Sequence, residues 1–282
     1  MTTRAPAARR PRARKRFGQH FLEPAWVAKV VAAIAPAADD RFIEIGPGHG
    51  AITRPLAAAA RSVVAFEIDR DLAGALRAGR AGPVGGVGGV GGVEIVEGDF
   101  LDVQPDQLIA LSPPLRVVGN LPYNVSSPIL FRLIDLYRAG VAFADATIML
   151  QQEVADRIVA ERSTPEYGVL TILVGRFATV ERLFDLPPGA FRPAPKVRSA
   201  LVRLRFHPPR PPAADETRFS RLVRAIFTRR RKTLANALLA FDATTRDSAS
   251  AALELAGLDG RRRPETLDTA ELVRLSDAFS LG

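Results

Sequence analysis

In the passage Phe42-Ile43-Glu44-Ile45-Gly46-Pro47-Gly48-His49-Gly50 an apolar run of strand length stops at a glycine-rich turn, and a helical pattern over 51–60 follows. A strand, an open turn and a helix in that order form the opening unit of a parallel sheet, with free backbone N–H groups where a ligand can approach. The alternation continues. An apolar helix at 24–34 precedes the first strand at 41–45, and strands at 62–66, 93–96, 115–118 and 146–150 are interleaved with helices at 69–79 and 128–137. This rhythm predicts an α/β fold, a mostly parallel sheet with helices on both faces. Two further apolar stretches, 170–177 and 197–206, are read as its last strands. The proline-rich run 208–212 marks a boundary beyond which only helical patterns remain. A main domain over 17–207 and a small all-helical domain over 213–282 are therefore expected.

Charge is distributed unevenly. The 282 residues carry 39 Lys+Arg against 30 Asp+Glu, a formal +9, yet residues 1–16 alone hold seven basic groups and no acid, and 186–241 hold thirteen basic and two acidic groups. The remainder is acidic. A basic arm and a basic block on an acidic body suit a partner with dense negative charge, nucleic acid above all; the plainer reading is an arginine-rich solvated face. With no cysteine, disulfides, thiolate zinc sites and cysteine nucleophiles are excluded, and three scattered histidines suggest no metal site. No apolar run approaches the ~20 residues of a membrane span, and the first twenty residues lack a signal peptide's apolar core, so a soluble cytoplasmic protein is expected. The arm 1–16 is expected to be disordered, and Gly82 to Gly92, with Val-Gly-Gly written three times, to be a flexible loop opposite the ligand edge.

The candidate site gathers at the carboxyl ends of the strands. The glycine loop by itself also satisfies a dinucleotide fingerprint, so a nicotinamide enzyme stays open at this point. Glu67 ends the second strand 21 residues beyond Gly46, where an acid can accept hydrogen bonds from both hydroxyls of an adenosine ribose. Gly98-Asp99-Phe100 follows the third strand and Gly119-Asn120-Leu121-Pro122-Tyr123 the fourth. Taken singly, Glu67 or Asp99 could be a cap or a surface acid. Together the four strand ends favour S-adenosylmethionine over NAD. The tetrapeptide Asn120 to Tyr123 suits amino methylation: an amide oxygen and a carbonyl accept both N–H bonds of an exocyclic amine, localising its lone pair for attack, and an aromatic ring stacks on the base. No general base is needed, because the proton leaves after the nitrogen has become cationic.

Seven segments, in order, carry a resemblance over almost the whole chain: Arg16 to Leu22, Glu44 to Gly50, Glu67-Ile68-Asp69, Gly98-Asp99-Phe100, Gly119 to Asn124, Phe191 to Val197, and Arg230 to Asn236. Through them the sequence resembles the KsgA/RsmA family of bacterial small-subunit (16S) rRNA adenine N6,N6-dimethyltransferases. The resemblance implies a class I methyltransferase (Rossmann-like) fold, S-adenosylmethionine as cofactor, and two adjacent adenosines near the 3′ end of small-subunit rRNA, within a 30S precursor, as targets. It implies that His20, Leu22, Gly46, Gly48, Glu67, Ile68, Asp99 and Asn120 meet the cofactor. It also implies that Asn120, Leu121, Pro122, Tyr123 and Phe191 serve the target base, with Phe191 stacking opposite Tyr123. Position 20 is often Asn in such relatives.

In the basic block, 218–227 reads as a helix with Phe219, Leu222, Val223 and Ile226 on one face. A new helix is expected near Thr228, its first turn crowded by Arg229, Arg230, Arg231 and Lys232, where the macrodipole disfavours cations and a bound RNA phosphate would relieve the cost. A monomer and no membrane partner are expected. The nearest rival reading is the large-subunit rRNA dimethyltransferase of macrolide resistance, and a ribosome-assembly factor with little catalysis is another.

Overall fold

The computed structural model describes residues 20–79, 92–112 and 114–279. The basic arm 1–16 and nearly all of the Val-Gly-Gly insertion lie outside these residues. The chain divides into two compact units, one of 1–155 with 181–205 and one of 156–180 with 206–282.

The first unit begins with a short strand β1 (Phe21–Leu22) and helix α1 (Pro24–Ile34). Then β2 (Arg41–Ile45), α2 (Thr53–Ala59), β3 (Ser62–Glu67), α3 (Arg70–Arg77), β4 (Gly92–Glu97), α4 (Pro105–Ile109), β5 (Leu115–Asn120), α5 (Ser126–Arg138) and β6 (Phe143–Gln151) alternate, as the periodicity predicts for all but the five-residue α4. The helix α6 (Gln152–Ile158) leads out of this unit, and β7 (Ala178–Leu186), β8 (Phe191–Arg192) and β9 (Ser199–Phe206) bring the chain back. The main sheet has the order β4-β3-β2-β5-β6-β9-β7. β4, β3, β2, β5 and β6 run parallel, and β9 lies antiparallel to β6. The chain thus builds outward from β2 through β3 to β4, then crosses to β5 on the other side. That reversal leaves a crevice at the carboxyl end of β2, where an open α/β sheet binds its ligand.

β2 explains itself: Phe42, Ile43 and Ile45 are buried on both faces of the strand, as a parallel strand covered by helices requires. One cluster under α1 and α2 joins Val30, Ile34, Phe42, Leu56, Val118, Met149 and Leu201. The amino-terminal end of the sheet is fastened by Arg116 near the start of the central strand β5. Its guanidinium donates to Asp145 at 2.9 and 3.0 Å, to Asp40 at 2.6 Å, and to the Ile34 and Ala35 carbonyls that α1 leaves unpaired.

The second unit is built mainly of helices. The stretch 170–177, read above as a strand, is instead α7 (Val169–Gly175), and the strand comes after it, at Ala178. A short run that is apolar on every side carries no period to separate strand from buried helix. The backbone start is set locally, where Gly168 N–H donates to Thr171 Oγ1 at 3.2 Å. α8 (Glu216–Phe227) buries the expected face of Phe219, Leu222, Val223 and Ile226, with Asp215 capping it through Thr217 N–H and Arg218 N–H. α9 (Leu234–Leu238), α10 (Arg246–Ala256) and α11 (Thr269–Ala278) complete the unit, and α8 packs on α7, α9 and α11. Arg176, at the end of α7, is fully buried; it pairs with Glu216 through Nε and Nη2 and lies over the Phe219 ring at 4.4 Å.

Candidate active site

The loop after β2 takes its shape from glycines in the left-handed region, Gly46, Gly48 and Gly50. At Gly48, φ is +58° and a Cβ would come within 3.0 Å of the Phe21 ring, so only glycine closes the loop against β1. Gly119 in β5 is equally constrained by space, because a Cβ there would meet the Ile45 carbonyl at 2.8 Å. Arg54 Nη2 and Nη1 donate to the His49 and Gly50 carbonyls at 2.7 and 3.0 Å and hold the turn from behind. Beside this loop opens a cleft of about 620 Å³. It brings together His20, Leu22, Gly46, Gly48, Asn120, Leu121, Pro122 and Tyr123, residues drawn from three distant parts of the chain.

Asn120 is oriented unambiguously. Its Nδ2 donates to the His20 carbonyl at 2.6 Å, and since a carbonyl only accepts, Oδ1 must face the other way as an acceptor. Leu121 is buried, its N–H donating to the Met149 carbonyl at 3.2 Å. The Pro122 carbonyl accepts from Val125 N–H at 3.1 Å, which uses one of its two lone pairs. Tyr123 shares a hydrogen bond with Ser199 Oγ at 3.0 Å, and one face of its ring is covered by His20, with centroids 5.2 Å apart and planes at 27°. Burial raises the Tyr123 hydroxyl pKa, so the ring stays neutral. His20 is itself fixed by its Nδ1, 2.7 Å from the Pro193 carbonyl, which requires that Nδ1 carry a proton and donate it.

Three of the expected residues stand outside the cleft lining, on the neighbouring strand ends. Glu67 is buried, and its carboxylate accepts from Gly48 N–H and Asp69 N–H, both at 2.9 Å. Burial raises its pKa, against the opposing pull of those two donors. Ile68, next to it, is 47% exposed, unusual for an isoleucine beside a core strand. Asp99 uses Oδ1 to cap the turn at Phe100–Asp102 through Leu101 N–H at 2.9 Å.

Phe191 requires a correction. Expected to stack on a base, it is only 1% exposed and lies in the core cluster with Val30, Leu186 and Leu201, opposite Leu22 in the β1–β8 ladder. Burying an aromatic ring next to a two-residue strand is what holds that strand in place, and the side chain has no face left to offer. Conversely, Glu44 belongs to the site although no motif assigns it a role there. It lines the cleft, is 2% exposed, and its Oε2 has no hydrogen-bond partner among the described residues. A single acid inside an otherwise apolar strand is the sequence signal that points to it.

Burial, with the Glu67 charge adding to it, lifts the Glu44 pKa from its ordinary 4.5 to about 7. A carboxyl held above its unfolded value contributes fully to stability below pH 4.5, and that contribution is lost as pH rises to about 7. Glu44→Gln should therefore match the wild type near pH 4.5 and exceed it above pH 7 by up to about 3 kcal/mol. Thermal unfolding of both proteins at the two pH values checks this; equal melting temperatures at the higher pH would refute it.

In the second unit the four cations do not open a helix. Arg229, Arg230, Arg231 and Lys232 form turns after α8, and α9 begins only at Leu234, behind Thr233. The macrodipole explains the displacement, since four cations in a first turn would oppose it. Arg230 donates through Nη1 to the Pro165 carbonyl at 2.6 Å and approaches Glu265 at 3.7 Å, so it serves the fold. Arg231 and Lys232 are exposed, without a side-chain partner among the described residues, and Arg229 reaches the Asn236 carbonyl at 3.3 Å.

Comparison with known proteins agrees with this architecture. The family model for ribosomal RNA adenine dimethylase matches residues 10–275. The ribosomal RNA small subunit methyltransferase A of Acinetobacter baylyi is 44% identical over 268 residues, 94% of this chain and 92% of that protein. Its counterpart from Pseudomonas fluorescens is 43% identical, over 95% and 94% of the two chains. Among solved structures, a dimethyladenosine transferase from Plasmodium falciparum matches with a TM-score of 0.70 at 24% identity, over 91% of this chain and 96% of that one. The 23S rRNA methyltransferase ErmE matches with a TM-score of 0.60 at 29% identity, over 92% and 99%. A family match spanning nearly the full length, together with the strand-end residues described above, shows that the chain belongs to the ribosomal RNA adenine dimethylase family.

Proposed function

We propose that the protein transfers methyl groups from S-adenosylmethionine to N6 of two adjacent adenosines near the 3′ end of small-subunit rRNA, acting as a cytoplasmic monomer on a 30S precursor. The observation that carries the reading is the amide of Asn120, anchored through Nδ2 so that Oδ1 is left as an acceptor, in a cleft that Pro122 also lines. The amine nitrogen of adenine is a poor nucleophile because its lone pair is spread into the ring. Oδ1 of Asn120 and the free lone pair of the Pro122 carbonyl accept its two N–H bonds, drawing the nitrogen toward tetrahedral geometry and localising the pair for attack. The same two acceptors stabilise the positive charge that develops there. The target base stacks on the face of Tyr123 that His20 leaves open, a contact worth about 1–3 kcal/mol. The proton then leaves to solvent.

The cleft fits the cofactor. A glycine loop that a Cβ would obstruct, a buried acid at the end of β3 and an orphaned carboxylate oxygen in the wall together suit a nucleoside bearing an amino-acid tail. Glu67 would take the ribose hydroxyls and Asp99 the adenine amino group, with Ile68 against the rings. His20, Leu22, Gly46, Gly48 and Asn120 would surround the remainder, and Glu44 Oε2 would accept from the ammonium group. When bound, S-adenosylmethionine supplies an electrophilic methyl group.

The small-subunit target is favoured over the large-subunit rival because relatives named for the small subunit are 43–44% identical, against 29% for ErmE. The test is incubation with radiolabelled S-adenosylmethionine and unmethylated small or large subunits, followed by digestion of the RNA. Labelled dimethyladenosine from the small subunit alone is expected; label in the large subunit, or none, overturns the proposal.

The exposed cations of the second unit are assigned to rRNA phosphates, with Arg229, Arg231 and Lys232 reaching the RNA and Arg230 as their support. Arg231→Gln/Lys232→Gln should lower the salt slope of RNA binding by about one for each phosphate no longer neutralised, with an unchanged melting temperature. Arg230→Gln should lower the melting temperature. Filter binding at several salt concentrations, beside thermal unfolding, reads both.

A further inference from the structure

The loop 192–198, counted from the last residue of β8 to the start of β9, is fastened to the cleft at both ends. At its start the Pro193 carbonyl is bonded to His20 Nδ1 at 2.7 Å, and β8 pairs with β1. At its end the Arg198 carbonyl accepts from Gln152 N–H at 3.0 Å, and Ser199 Oγ meets the Tyr123 hydroxyl at 3.0 Å. Ser199 pairs with Gln151 at the carboxyl end of β6, so the loop rises from the same sheet edge as the catalytic tetrapeptide. Between these anchors it carries Arg192, Lys196 and Arg198 and no acid. Two prolines limit its freedom, so the cations need little ordering when a partner arrives.

These charges point outward. Arg192 is 80% exposed while touching Glu23, Arg198 is 56% exposed and 3.7 Å from Asp185, and Lys196 is exposed with no ion-pair partner among the described residues. Surface pairs of this kind contribute little to stability and are readily exchanged for another anion. The fold has no evident need of them. A nucleotide whose base enters the cleft must leave its own phosphates at the rim, where this loop stands.

We propose that the loop 192–198 is a second RNA contact, in which Lys196 and Arg198, with Arg192 at the cleft itself, grip the backbone phosphates flanking the adenosine inserted beside Tyr123. The assignment rests on the adenosine-methylating reading of the cleft. It adds to that reading a site in the methyltransferase unit that holds RNA independently of Arg229 to Lys232.

The test compares the wild type with Lys196→Gln/Arg198→Gln and with the charge-preserving Lys196→Arg/Arg198→Lys, on a small-subunit rRNA fragment and with S-adenosylmethionine. The neutral pair should lower the slope of log affinity against log salt by about one to two units and raise the RNA KM several-fold, with cofactor affinity and melting temperature as in the wild type. The charge-preserving pair should restore the slope. A neutral pair with the wild-type slope and KM overturns the inference while the methylation reading stands. If the wild type itself methylates no rRNA yet loses salt slope in the neutral pair, the methylation reading fails and the phosphate contact survives.

Discussion

Asn120→Ala is expected to slow methyl transfer by about 10²–10³-fold, the usual cost of deleting one group that stabilises charge as it develops. RNA binding should persist, because the exposed cations are untouched. A second substitution isolates the geometry: Asn120→Asp keeps two acceptor oxygens but has no N–H to give to the His20 carbonyl, 2.6 Å away from Nδ2 in the native protein. Oxygen against oxygen at that distance is repulsive, so the aspartate must turn away and should be as defective as the alanine. Single-turnover incorporation of label and filter binding, on the same preparations, separate the two effects. An alanine variant with full turnover would falsify the mechanism.

The second large effect is on stability. Glu216→Ala should destabilise the protein by about 3–5 kcal/mol, because it strands the Arg176 guanidinium, whose side chain is 0% exposed. Arg176→Met should cost less, since the carboxylate it abandons is 18% exposed and can still accept from Ala213 N–H. The double variant Arg176→Met/Glu216→Leu should be near neutral, as apolar replacements of buried ion pairs often are. Urea unfolding followed by circular dichroism ranks the three. If Arg176→Met proves the worse single change, Glu216 and not Arg176 carries the unmet solvation. Arg176 Nη1 is already buried without a partner among the described residues, so this pair contributes more to the placement of α7 against α8 than to net stability.

Much of the site was legible because its chemistry is local. Gly46 to Gly50 had to be a turn after a buried strand, and the spacing to Glu67, Asp99 and Asn120 placed all four on one sheet edge, as the register of β2 with β3 and β5, and of β3 with β4, bears out. What could not be read depends on long-range packing. Whether Val169 to Gly175 coils or extends is decided by what surrounds it, and an evenly apolar run is silent on that. Phe191 beside prolines looked like an available ring, yet its pairing with Leu22, far back in the chain, buries it. Arg230 and Arg231 are indistinguishable as neighbours in a basic run; the Pro165 carbonyl, 65 positions away, and Glu265 tell one from the other.

The two-stranded ladder of Phe21–Leu22 with Phe191–Arg192 sets a timetable for biosynthesis. A nascent chain contains the glycine loop and Asn120 to Tyr123 well before it contains residue 192, which follows Tyr123 by about 70 residues. At ~5–20 residues per second that interval lasts about 4–14 s. Throughout it the polypeptide holds its reacting groups while one wall of the cleft has no strand to lean on, since β1 finds its partner only in β8. Competence to methylate is thus conferred late in translation, and chains that stop short of residue 191 would keep every side chain proposed to act on the base without the means to enclose a substrate.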